Sequence, residues 1–209
     1  YDDAVRIAVR GVEVKATAET RIALAMALTA TGQAGKAVPI YDQILAEPVG
    51  APPHAFTLAG FNSCFVRTLT SPEPEETQAA RRRWYEQFRA KGSVAPHAND
   101  RTLDRPLRIG YVSGDFKQHS AAFIFAAVIL HHDRTRIEPY LYSTLPVDPV
   151  ADPMTAKFQA AGTWRDIATL ADEPAEALIR QDQIDILVDL SSHTGGNRLV
   201  LFTRHPAPI

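Results

Sequence analysis

In the first part of the chain, apolar positions recur three and four residues apart, the spacing that lines one face of a helix. Residues 21–30 place Ile22, Ala25, Met26 and Leu28 on such a face, and Gly32 interrupts it. A second helix follows, with Ala37, Ile40, Tyr41, Ile44 and Leu45 on one side and Pro48 beyond its end. Residues 52–70 carry Phe56, Leu58, Phe61, Phe65 and Leu69. Ser71 and Pro72 mark a further helix start, with Glu73, Glu75 and Glu76 near its positive end and a stripe of Ala80, Trp84 and Phe88. Residues 92–106 are polar and rich in turn formers, and read as a linker between two folding units.

Beyond residue 106 the pattern shortens and alternates. Apolar runs at 107–112, 137–143, 164–167 and 184–190 predict strands, and the segments 121–130, 153–161, 174–181 and 198–203 predict helices. Ser120 reads as the N-cap of the first of these helices. The run IDILVDL at 184–190 is almost continuously apolar, which suits a strand buried on both faces. Strand and helix in alternation predict a parallel sheet with covering helices, a Rossmann-like lobe. The expected organisation is tetratricopeptide-like helices over 1–51, a helical connector and linker over 52–104, and the α/β lobe over 105–209.

The first helical pair resembles one tetratricopeptide repeat, whose period is about 34 residues. Ala25 and Ala37 are small where the two helices approach, Gly32 lies in the turn, and Tyr41 supplies the later aromatic, while Arg21 stands where the early Trp is usual. Ala4 and Ala8 would then belong to the second helix of a preceding repeat. One and a half repeats make no superhelix, so the expectation is a piece of a longer protein with more of the array upstream.

Composition narrows the classes. The chain has 209 residues, 45% hydrophobic and 22% charged, with a net charge of −2, so nothing points to nucleic acid or an anionic membrane as an obligatory partner. Cys64 is the only cysteine, which removes any intramolecular disulfide and agrees with a reducing, cytoplasmic compartment. No apolar run approaches the roughly 18 residues of a membrane-spanning helix.

The candidate chemistry lies in two strand-to-helix loops. In the usual doubly wound order the first and fourth strands are neighbours, and ligands bind beyond their carboxyl ends. His119, in LRIGYVSGDFKQHS, follows the first strand, and His193, in SSHTGGNR, follows the fourth. Gly195 and Gly196 lead toward the last helix with Asn197 as its expected cap, and such a loop can aim backbone N–H groups at a phosphate or carboxylate. GYVSGD is neither a dinucleotide fingerprint nor a P-loop, which weighs against NAD or ATP. His131 and His132 read as structural, and His54, His97 and His205 join no constellation. No Cys/His/carboxylate spacing argues for a metal. Arg81, Arg82 and Arg83 read as a solvated helix face; Asp185 and Asp189 read as strand carboxylates, one of which pins a neighbouring loop or helix, with direct acid/base work the less favoured alternative because they lie within the strand.

Taken together, LRIGYVSGDFKQHS, ILVDLSSHTGGNR and the terminal RHPAPI resemble the O-GlcNAc transferase/SPINDLY glycosyltransferase family, in the family's order and at similar spacing, and RRRWYEQF resembles its segment between repeats and catalytic region. The resemblance implies two facing Rossmann-like lobes, of which residues 105–209 match the first. The second lobe, which supplies most nucleotide contacts, would be a missing partner. It implies transfer of a sugar, UDP-GlcNAc being the expected donor, to Ser or Thr hydroxyls of a protein or peptide presented by the repeats, with inversion and without a metal or other cofactor. His119 matches the family histidine proposed as general base, which could instead orient acceptor or sugar, and His193 matches the second active-site histidine, a positioning group. Asp115, Ser120, Thr194, Gly195 and Gly196 are the expected substrate-binding positions. Ser192 departs from bacterial relatives, which often have Gly before the His-Thr pair. The alternative reading is a non-catalytic interaction module of repeats and a degenerate lobe.

Overall fold

A computed structural model describes residues 2–47, 51–70, 73–91, 94–102 and 104–209. The helix start expected at Ser71 and Pro72, the stop at Pro48 and the linker's first residue, Gly92, lie outside the described residues. Contacts divide the chain into two units, Tyr1–Arg89 and Ala90–Ile209.

The first unit is helical and repeat-like: α1 (Asp2–Val14), α2 (Ala18–Ala30), α3 (Ala34–Ala46), α4 (Pro53–Thr70) and α5 (Pro74–Phe88). Helix α2 begins three residues before the expected start because Thr17 and Thr20 cap it reciprocally, each side chain accepting the other's backbone N–H. Ile22, Ala25, Ala37, Tyr41, Ile44, Ala55, Ala59 and Val66 form the core between α2, α3 and α4. Burial pushes the Tyr41 phenol up to about 12 and the Cys64 thiol up to about 11. Arg67 of α4 reaches both carboxylate oxygens of Asp42 on α3 at 2.7 Å, which locks the two helices in register.

The second unit is a four-stranded parallel sheet with helices on both sides. Its elements are β1 (Leu107–Ser113), α6 (Ser120–Ile129), β2 (Ile137–Ser143), α7 (Pro153–Ala161), β3 (Thr163–Asp166), α8 (Asp172–Gln181), β4 (Ile186–Asp189) and α9 (Leu199–Phe202). The strand order is β3-β2-β1-β4, so the first and fourth strands are neighbours. Alternation sorts side chains to two cores. Tyr111 and its register partner Leu141 pack with Phe116, Ala122, Ile129 and Phe158 under α6 and α7. Val112 and its partner Tyr142 pack with Ile167, Ile179 and Leu201 under α8 and α9.

Strand β4 departs from expectation. It is shorter than the apolar run, and every residue in it is only half-buried, because it is the last strand in the order. Beyond it, Leu187 N–H donates to Ile209 O at 2.7 Å and Ile209 N–H to Asp185 O at 3.2 Å. The leading part of the run is used otherwise: Asp185 accepts both Arg105 terminal nitrogens at 2.7 Å, Arg108 N–H at 2.9 Å and Asn99 Nδ2 at 2.9 Å. The segment before β1 has no helix or strand among its described residues, yet that carboxylate pins it beside β4, and Ala90 N–H donates to Thr203 Oγ1 at the end of α9 at 2.9 Å. Among the described residues no helix is long and apolar enough to cross a membrane.

Candidate functional site

Register places Val112 of β1 beside Asp189 of β4, so both strands end on the same edge of the sheet. Leu190 N–H continues the ladder to Val112 O at 3.0 Å, and Gly114 N–H then donates to Ser191 Oγ at 3.3 Å. The loop after β2 joins them: Thr144 N–H donates to Ser113 O at 3.0 Å, and Thr144 Oγ1 donates to Gly196 O at 2.5 Å. Three loops, from β1, β2 and β4, are thus hydrogen-bonded to one another at the carboxyl edge, where open parallel sheets bind ligands.

The loop after β1 is held from below. Phe116 is fully buried and meets Phe125, Phe158 and Trp164 edge-on. Its carbonyl accepts Thr155 Oγ1 at 2.7 Å, and Gln118 N–H donates to Asp152 Oδ2 at 2.7 Å. Asp152 also caps α7 through Met154 N–H and Thr155 N–H, and these amides, Gln118's foremost, hold its carboxyl below the usual range. The anchored chain then presents His119, which is exposed. The expected cap is corrected here: His119 is the N-cap of α6, its Nδ1 accepting Ala121 N–H at 3.3 Å, and Ser120 is the first helical residue, exposed at its outer side. An imidazole lone pair replaces the usual side-chain oxygen of a cap. Asp115 is half-buried, its Oδ2 lying 3.7 Å from His119 Nδ1.

The loop after β4 is shaped by Asp189. Its carboxylate accepts Ser191 N–H at 3.1 Å and Ser192 N–H at 2.8 Å, while burial pushes its pKa up against these bonds. Ser192 has φ of 48°, the left-handed conformation that glycine takes freely. Half-buried His193 follows. Thr194 turns its hydroxyl inward, donating Oγ1 to Ser191 O at 2.6 Å. Gly196 has φ of +75°, and a Cβ there would come within 2.9 Å of Leu145, whereas a Cβ on Gly195 would meet nothing within 4 Å. The short helix α9 is preceded by Arg198 at its cap position; Asn197, the expected cap, does accept Leu199 N–H, at 3.3 Å.

The structure therefore brings the loops of His119, Asp115 and Ser120 and of His193, Thr194, Gly195 and Gly196 to one edge. Sequence reasoning missed the supports, Phe116, Asp152 and Thr144. Only Asp152, standing immediately before Pro153, carried a local signal, that of a helix cap followed by proline. The other histidines lie elsewhere: His132 Nε2 pairs with the Tyr111 hydroxyl at 2.6 Å, burial holding its pKa down, and His97 Nδ1 sits 3.2 Å from Arg180. Among the described residues no group of three or more His, Cys, Asp or Glu is placed to hold a metal ion.

Fold and site define a class: a helical repeat-like array followed by an α/β unit of the kind whose crevice opens at the carboxyl ends of parallel strands. Residues 90–209 match the model of Glycosyl transferase family 41, and the chain belongs to that family. It is 37% identical over 136 residues to a probable UDP-N-acetylglucosamine–peptide N-acetylglucosaminyltransferase SPINDLY of Hordeum vulgare, covering 62% of this chain and 14% of that protein. It is 33% identical over 104 residues to the UDP-N-acetylglucosamine–peptide N-acetylglucosaminyltransferase of Caenorhabditis elegans, covering 49% of this chain and 9% of that protein. A solved Thermobaculum terrenum O-GlcNAc transferase mutant superposes with a TM-score of 0.86 at 30% identity, covering 99% of this chain and 39% of that one. The chain thus spans about a seventh of the barley relative's length.

Proposed function

We propose that this chain contributes a tetratricopeptide-like arm and the first, Rossmann-like catalytic lobe to a protein O-glycosyltransferase that moves N-acetylglucosamine from UDP-GlcNAc to Ser or Thr hydroxyls. The observation that carries the reading is the joining of the His119 and His193 loops at one sheet edge, through Gly114 N–H and Ser191 Oγ, in a member of family 41. In the reaction the acceptor oxygen forms a bond to the anomeric carbon from the face opposite the departing UDP, with inversion. The hydroxyl proton passes to a base, and the bond to the diphosphate breaks with its electron pair leaving on UDP. The residues of this edge suit that demand. His119 and His193 stand in the loops that meet there, Asp115 and Ser120 flank His119, and the open space over Gly195 admits a ligand to the backbone. Thr194 shapes the loop from within. No cofactor besides the nucleotide sugar is part of the proposal. A second lobe and a protein acceptor are its partners, and its location is cytoplasmic, with which the sole cysteine, buried Cys64, agrees.

The test is incubation of the intact gene product with labelled UDP-GlcNAc and, separately, labelled GDP-fucose, in the presence of candidate acceptor peptides. The expected result is UDP release matched by hexosamine on Ser or Thr. Fucose transfer alone would correct the donor, and a folded protein that transfers neither sugar would favour the interaction-module reading.

A further inference from the structure

Within the first unit a cavity of about 260 Å³ opens where α3, α4 and α5 converge. Small residues make the room: Ala46 of α3, Gly60 and Cys64 of α4 and Ala80 of α5 stand where larger side chains would fill it. Trp84 and Phe88 of α5 form one wall, stacked on each other with ring centroids 5.9 Å apart. Phe61 holds Trp84 and Phe56 holds Phe88, each pair at 5.3 Å. Gly60 lets the wall lie there, since a Cβ on it would stand 2.5 Å from Phe88 and 3.1 Å from Trp84. The wall is therefore apolar, flat and held in place.

Charge around the cavity favours one sign. Asp42 is the only carboxylate among its described lining residues, and both its oxygens meet Arg67 at 2.7 Å, which compensates its charge. Arg83 lines the cavity from an exposed position, and among the described residues its guanidinium has no hydrogen bond or ion pair. Ser63 is buried and accepts Arg67 Nη1 through Oγ, which leaves its O–H to donate. Cys64 feels the positive charge of Arg67, Arg81 and Arg83 together, yet burial holds its thiol neutral, with a pKa of about 11. An anion entering here meets donors, uncompensated positive charge and no thiolate, whereas a cation is repelled.

We propose that this cavity binds a small planar carboxylate, with its ring against Trp84 and Phe88 and its carboxylate on Arg83, the Ser63 hydroxyl serving as second donor. The occupant is a small molecule because the space is a cleft between helices of ligand size. Arg83, one of three successive arginines on α5, thus does more than keep a helix face in water. The ligand is held by an ion pair and ring contact, and no covalent bond changes. The site stands whether or not the sugar-transfer reading does.

The probe is naphthoate, titrated calorimetrically into the intact gene product at neutral pH, with naphthalenemethanol as its uncharged counterpart. Naphthoate should bind with a Kd on the order of 0.1 mM, and the alcohol about tenfold more weakly. Arg83→Gln should weaken naphthoate about tenfold and leave the alcohol unchanged. Ala46→Trp, which fills the cavity from an exposed position, should abolish binding of both. Equal affinity for acid and alcohol, naphthoate binding untouched by either substitution, or no binding to the unaltered protein overturns the proposal. Melting curves report whether each variant folds, and if Ala46→Trp does not, Arg83→Gln decides alone, since its side chain is exposed.

Discussion

Residue by residue, the loop after β4 combines a strained position with a position that only glycine fits. Ser192 sits at φ of 48°, held there by Asp189 through two amides. Gly196 sits at φ of +75° against Leu145. The two should respond in opposite directions. Ser192→Gly relieves a left-handed serine and should stabilise the second unit by about 1 kcal/mol. Gly196→Ala meets both the backbone penalty and the Leu145 side chain, and should destabilise by about 1–3 kcal/mol. Gly195→Ala, with open space over its Cβ position, serves as the near-neutral control. Urea unfolding monitored by hydrogen exchange of the second unit measures all three. Equal effects for the two glycines would show that the loop is not shaped as described. Ser192 was legible in the sequence as a departure, but its strain was not, because φ depends on the carboxylate of Asp189 folding back over the turn.

Among the elements, β4 owes its place to side chains as much as to its ladder. Asp185, immediately ahead of it, gathers Asn99, Arg105 and the Arg108 amide. Its pKa falls to about 2: burial alone would raise it, but the Arg105 guanidinium, the Arg108 amide and Asn99 outweigh that burial. A folded-state pKa below the unfolded value means that the stabilisation is fully present above the ordinary carboxylate range. It fades as pH falls toward about 2, and amounts to about 2 kcal/mol. Asp185→Asn should therefore lower stability at neutral pH by about that much and flatten the acid limb of the stability–pH curve. Parallel acid limbs in wild type and variant would remove Asp185 from the clamp. The sequence disclosed two aspartates in an apolar run, one of them expected to pin a neighbouring segment, without saying which. It did not disclose that the run is split, with Ile184 and Asp185 ahead of the strand and only Ile186–Asp189 within it.

For the whole molecule, periodicity carried most of the architecture. The helical first part and the alternating second part follow from spacing, and the adjacency of the first and fourth strands, with their loops' common edge, follows from the usual doubly wound order. What escaped was contact between residues distant in sequence. Phe116 became an anchor only once α7 and β3 closed over it, and His119 displaced Ser120 as the cap because an imidazole nitrogen reached the Ala121 amide. Local propensity favours serine at that position and cannot register such a competition.

The central claim is that His119 and His193, from loops far apart along the chain, serve one sugar-transfer centre. A double-mutant cycle on kcat/KM for transfer from UDP-GlcNAc tests it most directly, with His119→Ala, His193→Ala and the double variant of the intact gene product. Each single substitution should lower kcat/KM by at least tenfold, and the double variant should lose clearly less than the product of the two single losses, because residues in one centre are coupled. Strictly multiplicative losses, or single variants that transfer sugar as fast as the unaltered protein, would contradict it.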